Sequence, residues 1–259
     1  MKNILLLVAL FSSYSFGQMN TDRPSFSMSS QTIRKGEFQI EAGLQLNNRG
    51  QDNPAGSYLQ APTAQFRIGL SDFLELRIQN GLNIRQGFSN KLSASMENIE
   101  LGLKYNIVHA VKTNMSIVAQ GIAPTSSGNW QPREKGVRLV FALDHKIKKS
   151  GSLGYNLGSK FSAVGNNNDF KLDAYYSVFY AHQMNSKLGL FAEVQQVFPD
   201  LDKFDEDAME LNADCGLTYA LSNNLQVDYV FGFGLLNRMN FQSVGLSYRI
   251  QPAPPKRAY

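Results

Sequence analysis

Between Phe38 and Ile250 the chain repeatedly alternates apolar and polar residues with a period of two. Phe38, Ile40, Ala42, Leu44 and Leu46 interleave with Gln39, Glu41, Gly43 and Gln45. Ala64, Phe66, Ile68 and Leu70 are set against Gln65 and Arg67, and Leu74, Leu76 and Ile78 against Glu75, Arg77 and Gln79. Ile99, Leu101, Leu103 and Tyr105 alternate with Glu100, Gly102 and Lys104; Val137, Leu139, Phe141 and Leu143 are offset by Arg138 and Asp144. Successive side chains of a strand point to opposite faces, so each segment predicts a strand with one apolar and one polar face. The same pattern recurs in 153–161, 170–181, 188–198, 209–219, 225–233 and 241–250, with a weaker copy in 115–123. Twelve strands are predicted. No stretch sustains a 3.6-residue period, which excludes helices of any length.

The connections alternate too. Long ones (47–57, 86–95, 124–135, 163–169, 199–208 and 235–240) take turns with short ones at Ser71-Asp72, His109–Thr113, Lys148–Ser150, Asn185-Ser186 and Ser222–Asn224. Short turns on one rim, longer loops on the other and an even strand number are the layout of an outer-membrane β-barrel. A membrane-crossing strand needs about 9–11 residues, so twelve use roughly half of the 259-residue chain. The expected fold is all-β: a transmembrane antiparallel up-and-down barrel of about 12 strands.

Which face meets lipid is decided by three features. Strand parity puts Glu41, Glu75, Glu100, Asp144, Asp173, Glu193, Glu210, Asp214 and Asp228 on the polar face, against Arg67, Arg77, Arg85, Lys104, Arg138, Lys160, Lys171 and Arg249. Near-equal numbers of acids and bases suit a confined interior, where an unpaired charge is costly. On the apolar face Phe38, Tyr105, Tyr180, Tyr219 and Tyr248 all fall at the short-turn rim, as in an aromatic girdle at the headgroup level. Finally, residues 1–17 have the form of a secretory signal peptide, with Lys2 before the apolar run Ile4–Phe11 and small residues at Ser15 and Gly17. That run is too short to span a bilayer as a helix. The expected organisation is a signal peptide (1–17), a periplasmic or lumen-plugging segment (18–35), the barrel (36–250) and a tail (251–259). Pro252, Pro254 and Pro255 keep the tail out of the last strand, which places an assembly signal at Tyr248–Ile250.

The stretch Thr21-Asp22-Arg23-Pro24-Ser25-Phe26, followed by Gly36-Glu37-Phe38-Gln39-Ile40-Glu41-Ala42-Gly43, resembles the outer-membrane transporter barrels grouped with the meta-pathway phenol-degradation proteins. Members begin with a Thr-Asp-Arg-Pro segment and enter the first strand through Gly-x-x-Gln-x-Glu-x-Gly. Glu100–Tyr105, Gly121–Pro124 with Gly128, and Val244–Arg249 are similar to later parts of the family. The resemblance implies a bacterial outer-membrane barrel that admits small, often hydrophobic or aromatic, compounds.

The candidate site follows from parity and position. Asp22, Arg23 and Pro24 are candidates for a plug that folds up into the lumen. Glu41, Arg67, Glu75 and Arg77, with Glu100, Lys104 and Arg138, are candidates for a charged constriction. Catalysis is not expected: His109 lies in a turn, His145 has lipid-facing parity, His182 ends a strand, and none has a nucleophile placed beside it. The one cysteine, Cys215, sits among lipid-facing residues, and no two histidines share a strand or turn, so neither a disulfide nor a metal centre is expected. Trp130 and the acidic run Asp200–Asp207 read as loop features. The net charge of +4 comes with no block of basic residues, which argues against nucleic acid as a partner. Mean hydropathy is −0.26, which excludes a multi-helix membrane protein. The expected partners are outer-membrane lipid, a small solute and the barrel-assembly machinery, with the chain a monomer and without cofactor. The rival expectation is a sealed structural barrel whose loops carry the function.

Overall fold

The computed structural model describes residues 19–23, 25–49, 56–86, 92–128, 131–147, 150–165, 169–203 and 205–252. The expected signal peptide, Pro24, Trp130 and all but the first two residues of the tail lie outside this set. Thirteen strands form one sheet: β1 Phe38–Asn48, β2 Ser57–Gly69, β3 Leu74–Gln86, β4 Leu92–Met96, β5 Ile99–His109, β6 Thr113–Ala123, β7 Glu134–Lys146, β8 Gly151–Val164, β9 Lys171–Gln183, β10 Leu188–Phe198, β11 Glu210–Ser222, β12 Leu225–Gly234 and β13 Asn240–Ile250. All neighbours are antiparallel, and β13 pairs with β1 while β2 pairs with β3, so the sheet closes on itself.

The thirteen strands make twelve staves. Both β4 and β5 pair with β3, β4 against Leu82–Gln86 and β5 against Leu74–Gln79, so together they are one stave broken at Glu97-Asn98. The predicted loop 86–95 is therefore shorter than expected, because the stave continues beyond the break. The other predicted strands appear in place, and β13 ends at Ile250, before Pro252.

Parity becomes inside and outside. On β5 the outward Leu101, Leu103 and Tyr105 are 52%, 45% and 55% exposed, whereas the inward Lys104 is fully buried. Val244, Leu246 and Tyr248 on β13 show the same contrast with the buried Ser243 and Ser247. Hydrocarbon offers no hydrogen bonds, so a closed ladder with an apolar exterior is the arrangement that lets strands cross a bilayer. Tyr105, Tyr180, Tyr219 and Tyr248 stand exposed on the outer face, and Phe38 stacks on Phe66 with ring centroids 6.2 Å apart.

The interior is not uniformly polar. Val118, Val140, Val230 and Phe241 point inward and are buried. Inward aromatic rings lie over inward glycines of the adjacent strand: Phe179 over Gly154, Tyr175 over Gly158 and Phe241 over Gly232, where a Cβ would fall 2.1 Å from a ring atom. Small residues on one strand thus make room for large ones on the next.

Candidate functional site

The segment before β1 lies inside the barrel. Gly36, with φ +78°, takes the left-handed conformation that turns the chain into the first strand. From there the inward residues of β1 meet the segment one after another. Gln39 donates from Nε2 to the carbonyl of Asn20 (3.0 Å) and to Glu41 (2.8 Å). Glu41 Oε2 accepts the backbone N–H groups of Asp22 (2.9 Å) and Arg23 (3.0 Å). At Gly43 a Cβ would lie 2.2 Å from the Arg23 guanidinium and 2.7 Å from the Val244 carbonyl, so only glycine leaves space for that side chain. The Gly-x-x-Gln-x-Glu-x-Gly entry and the Thr-Asp-Arg segment are thus socket and insert.

Around Asp22 the wall is a closed ionic network. Arg67 holds Glu75 through Nε (2.7 Å) and Nη2 (2.9 Å), and Glu41 through Nη1 (2.9 Å). Arg77 pairs with Asp22 and lies 3.5 Å from Glu75; Lys104 Nζ lies 3.4 Å from Asp22. Arg67 also donates to the carbonyls of Asn20 and Gln31, both 3.1 Å, so one guanidinium ties two strands to two points of the segment. Burial opposes ionisation of Asp22. Arg77, Lys104 and Arg67, with the Ser29 N–H, outweigh it and hold the carboxyl well below the usual carboxylate range.

The segment also reaches around and across the lumen. Arg23 donates to Ser243 (2.7 Å) and Thr63, and lies 3.6 Å from Asp228. Ser27 gives its hydroxyl (2.8 Å) and N–H (3.2 Å) to Glu193; Ser30 gives both to Asp144 (2.7 and 3.1 Å). Met28 exchanges two hydrogen bonds with the Asn156 amide. Residues 19–23 and 25–31 therefore span the lumen from β1–β5 to β7–β13, with Phe26 edge-on to Phe241 at 5.3 Å. Two cavities flank them. One of about 380 Å³ lies toward the long loops, lined by Phe26, Gln60, Gln79, Glu97, Glu134 and Arg138. The other, about 250 Å³, lies toward the short turns, lined by Met19, Ser29, Ser150, Phe179, Gln183 and Phe191.

Of the expected constriction residues, Glu41, Arg67, Glu75, Arg77 and Lys104 come together with Asp22. Glu100 and Arg138 instead pair with each other at 2.8 Å, in the wall of the larger cavity. Glu97 was not anticipated. The break between β4 and β5 turns it inward over Gly81, where it accepts from Gln60 (2.8 Å) and Asn83 (3.0 Å). Of the histidines, His145 bonds Thr113, and His182, at the edge of the smaller cavity, bonds Tyr180. Cys215 is exposed on the outer face. Asp200 and Asp205 are engaged locally, with Lys171 and with the Asp207 N–H.

The fold and its apolar exterior define an outer-membrane β-barrel. Residues 21–250 match the family described as "Putative MetA-pathway of phenol degradation", and the chain belongs to it. No curated protein matches the sequence. Among solved structures, the COG4313 outer membrane channel from Pseudomonas putida F1 is similar with a TM-score of 0.63 at 11% identity, over 88% of this chain and 100% of that one. The KdgM porin in complex with disordered oligogalacturonate is similar with a TM-score of 0.57 at 10% identity, over 82% and 99%. The NanC porin gives a TM-score of 0.57 at 7% identity, over 82% and 100%. At such identities the likeness is one of fold.

Proposed function

We propose that the protein is a passive outer-membrane channel for small molecules, narrowed at its waist by residues 19–35 and widened when that segment moves. One observation carries this reading. Among the described residues, 19–33 make no backbone–backbone hydrogen bond to the strands; side chains of the wall and segment hold them there. A segment outside the ladder can leave without breaking the barrel, which a fourteenth strand could not do. Asp22 meets the cations of β2, β3 and β5 while Arg23 meets Asp228 of β12, so the insert is matched to the lumen as a ligand would be.

The solute follows from the linings. Both cavities combine an aromatic ring (Phe26 in one, Phe179 and Phe191 in the other) with hydrogen-bonding side chains, which suits a small aromatic or hydrophobic compound bearing a polar group. The family description, with its mention of phenol degradation, favours the aromatic solute, and the channel and porin names of the similar structures favour passage of small molecules in general. Flow is diffusive, with no resident cofactor or energy source required.

Liposome swelling tests this with the full-length mature protein and the variant Asp22→Ala/Arg23→Ala. Small aromatic solutes are expected to enter with the wild-type protein and faster with the variant. If both proteins leave the liposomes impermeable to aromatic and sugar solutes, while the long loops bind a surface partner, the barrel is a sealed one and the channel reading fails.

A further inference from the structure

The β10–β11 wall holds two acids that face each other with no cation paired to either among the described residues. Glu193 and Asp214 are direct partners in the antiparallel register, both inward, 2% and 4% exposed. Residues so placed have Cβ atoms about 4.5–5.5 Å apart, and like charges there repel. Among the described residues, their cross-strand neighbours are neutral. From β9 come Phe179, opposite Glu193, and Ser177; from β12 comes Gly232, opposite Asp214, with the Phe241 ring over it. The inserted segment contributes Ser27, whose hydroxyl touches both Glu193 and Ser177. Arg23, the segment's own cation on this side, is committed to Asp228, Ser243 and Thr63.

A second observation gives the missing partner a character. Both carboxylate oxygens of Asp214 lack a hydrogen-bond donor, and so does Oδ1 of Asn212, a neutral side chain 2% exposed at the next inward position of β11. Every such orphan on this strand is an oxygen. Buried acceptors without donors are costly, and a site made of them calls for something positive and oxygen-seeking. Among the described residues no third carboxylate, histidine or cysteine joins the pair, so nitrogen- or sulfur-seeking metals are poorly served.

We infer that Glu193, Asp214 and the Asn212 amide oxygen form a binding site for a hard divalent cation of the calcium class. Two carboxylates neutralise a divalent ion; the amide oxygen and nearby hydroxyls add neutral ligands, and water completes a shell of six to eight oxygens. Because Ser27 is anchored on Glu193, the ion fastens residues 25–28 of the segment to the wall. The binding site stands on its own geometry; only the fastening rests on the channel reading above.

Full-length mature protein, refolded in detergent free of lipopolysaccharide and stripped with EDTA, is titrated with calcium chloride by calorimetry. Unfolding is followed in parallel by the heat-dependent shift in gel mobility. Saturable binding of one calcium per chain and a higher unfolding temperature are expected. Glu193→Gln/Asp214→Asn is expected to weaken binding by roughly tenfold or more, because the charge that sets affinity is gone. Asn212→Leu, which keeps both acids, weakens it less and serves if the double variant does not fold. Asp200→Asn/Asp202→Asn, in an outer loop, leaves it unchanged. No saturable binding to the wild-type protein, or undiminished binding to the variants that fold, overturns the site; the pair then shares a proton instead. Unchanged conductance on adding calcium to a protein that binds it would remove the fastening and leave the site.

Discussion

The lumen has two walls that solve the problem of buried charge differently. On β1, β2, β3 and β5, Glu41, Arg67, Glu75, Arg77 and Lys104 form a network at hydrogen-bond and ion-pair distances, and the segment adds one more member, Asp22. On β7, β10, β11 and β12, Asp144, Glu193, Asp214 and Asp228 have Arg23 as the one cation among their ion pairs in the described residues. Asp144 and Glu193 depend instead on N–H and O–H donors of Ser30 and Ser27. The first wall is largely a scaffold in its own right. The second is complete only with the segment in place, so the segment is a structural partner of one wall and a guest of the other.

Deleting residues 19–35 should therefore produce the largest effect and an asymmetric one. The basic wall loses one carboxylate and keeps its Arg67–Glu75 and Arg67–Glu41 pairs. The acidic wall loses Arg23 and the serine donors together, and its carboxylates face the lumen bare. Single-channel conductance is expected to rise several-fold, and the reversal potential in a salt gradient to shift toward cation selectivity. A rise without selectivity would mean that the second wall is neutral once the segment is gone, and the contrast between the walls would disappear.

Arg67→Met breaks the comparison from the other side. It strands Glu41 and Glu75 in a buried site and removes the donors to Asn20 and Gln31. Removing one partner of a buried pair costs about 3–5 kcal/mol. The barrel itself should unfold at lower denaturant concentration in micelles, which deletion of the segment does not bring about to the same extent. A variant as stable as the wild type would show that the network is decoration on the first wall.

Much of this was readable from the residues. Strict alternation sorted the residues into two faces because a period of two leaves no other choice. The balanced charges, the aromatic rim and the exported N-terminus turned the apolar face to lipid, and Asp22-Arg23 beside Pro24 drew attention to the segment. Three things were hidden, each for a physical reason. The role of Gly43 depends on a side chain twenty residues earlier returning through the lumen, and strand parity carries no information about what lies across a cavity. Glu97 faces inward because a break in the stave shifts the parity, and a break has no sequence pattern of its own. The unequal walls were concealed by adding acids and bases over the whole barrel, where they nearly cancel. Placed on their strands, Arg67, Arg77 and Lys104 fall on one side and Glu193, Asp214 and Asp228 on the other.

The smallest expected effect is that of moderate acid, and its smallness is informative. Asp22 is held well below the usual carboxylate range by Arg77, Lys104 and Arg67 against the cost of burial. A carboxyl depressed in the docked state adds stability that is fully present above its free value of about 3.9 and is lost as pH falls through the lower, docked value. Conductance through the wild-type protein should thus stay level from neutral pH down to about 4.5, and rise only below the ordinary carboxylate range, when Asp22 takes a proton and the three cations lose their shared partner. Asp22→Asn should already conduct at neutral pH as the wild type does in strong acid, because the amide cannot answer Arg77 and Lys104. If conductance through the wild-type protein instead rises between pH 6 and 5, the controlling group lies outside the basic wall. The carboxylates across the lumen, which among the described residues are held by Ser27 and Ser30 at Glu193 and Asp144, would then be the place to look.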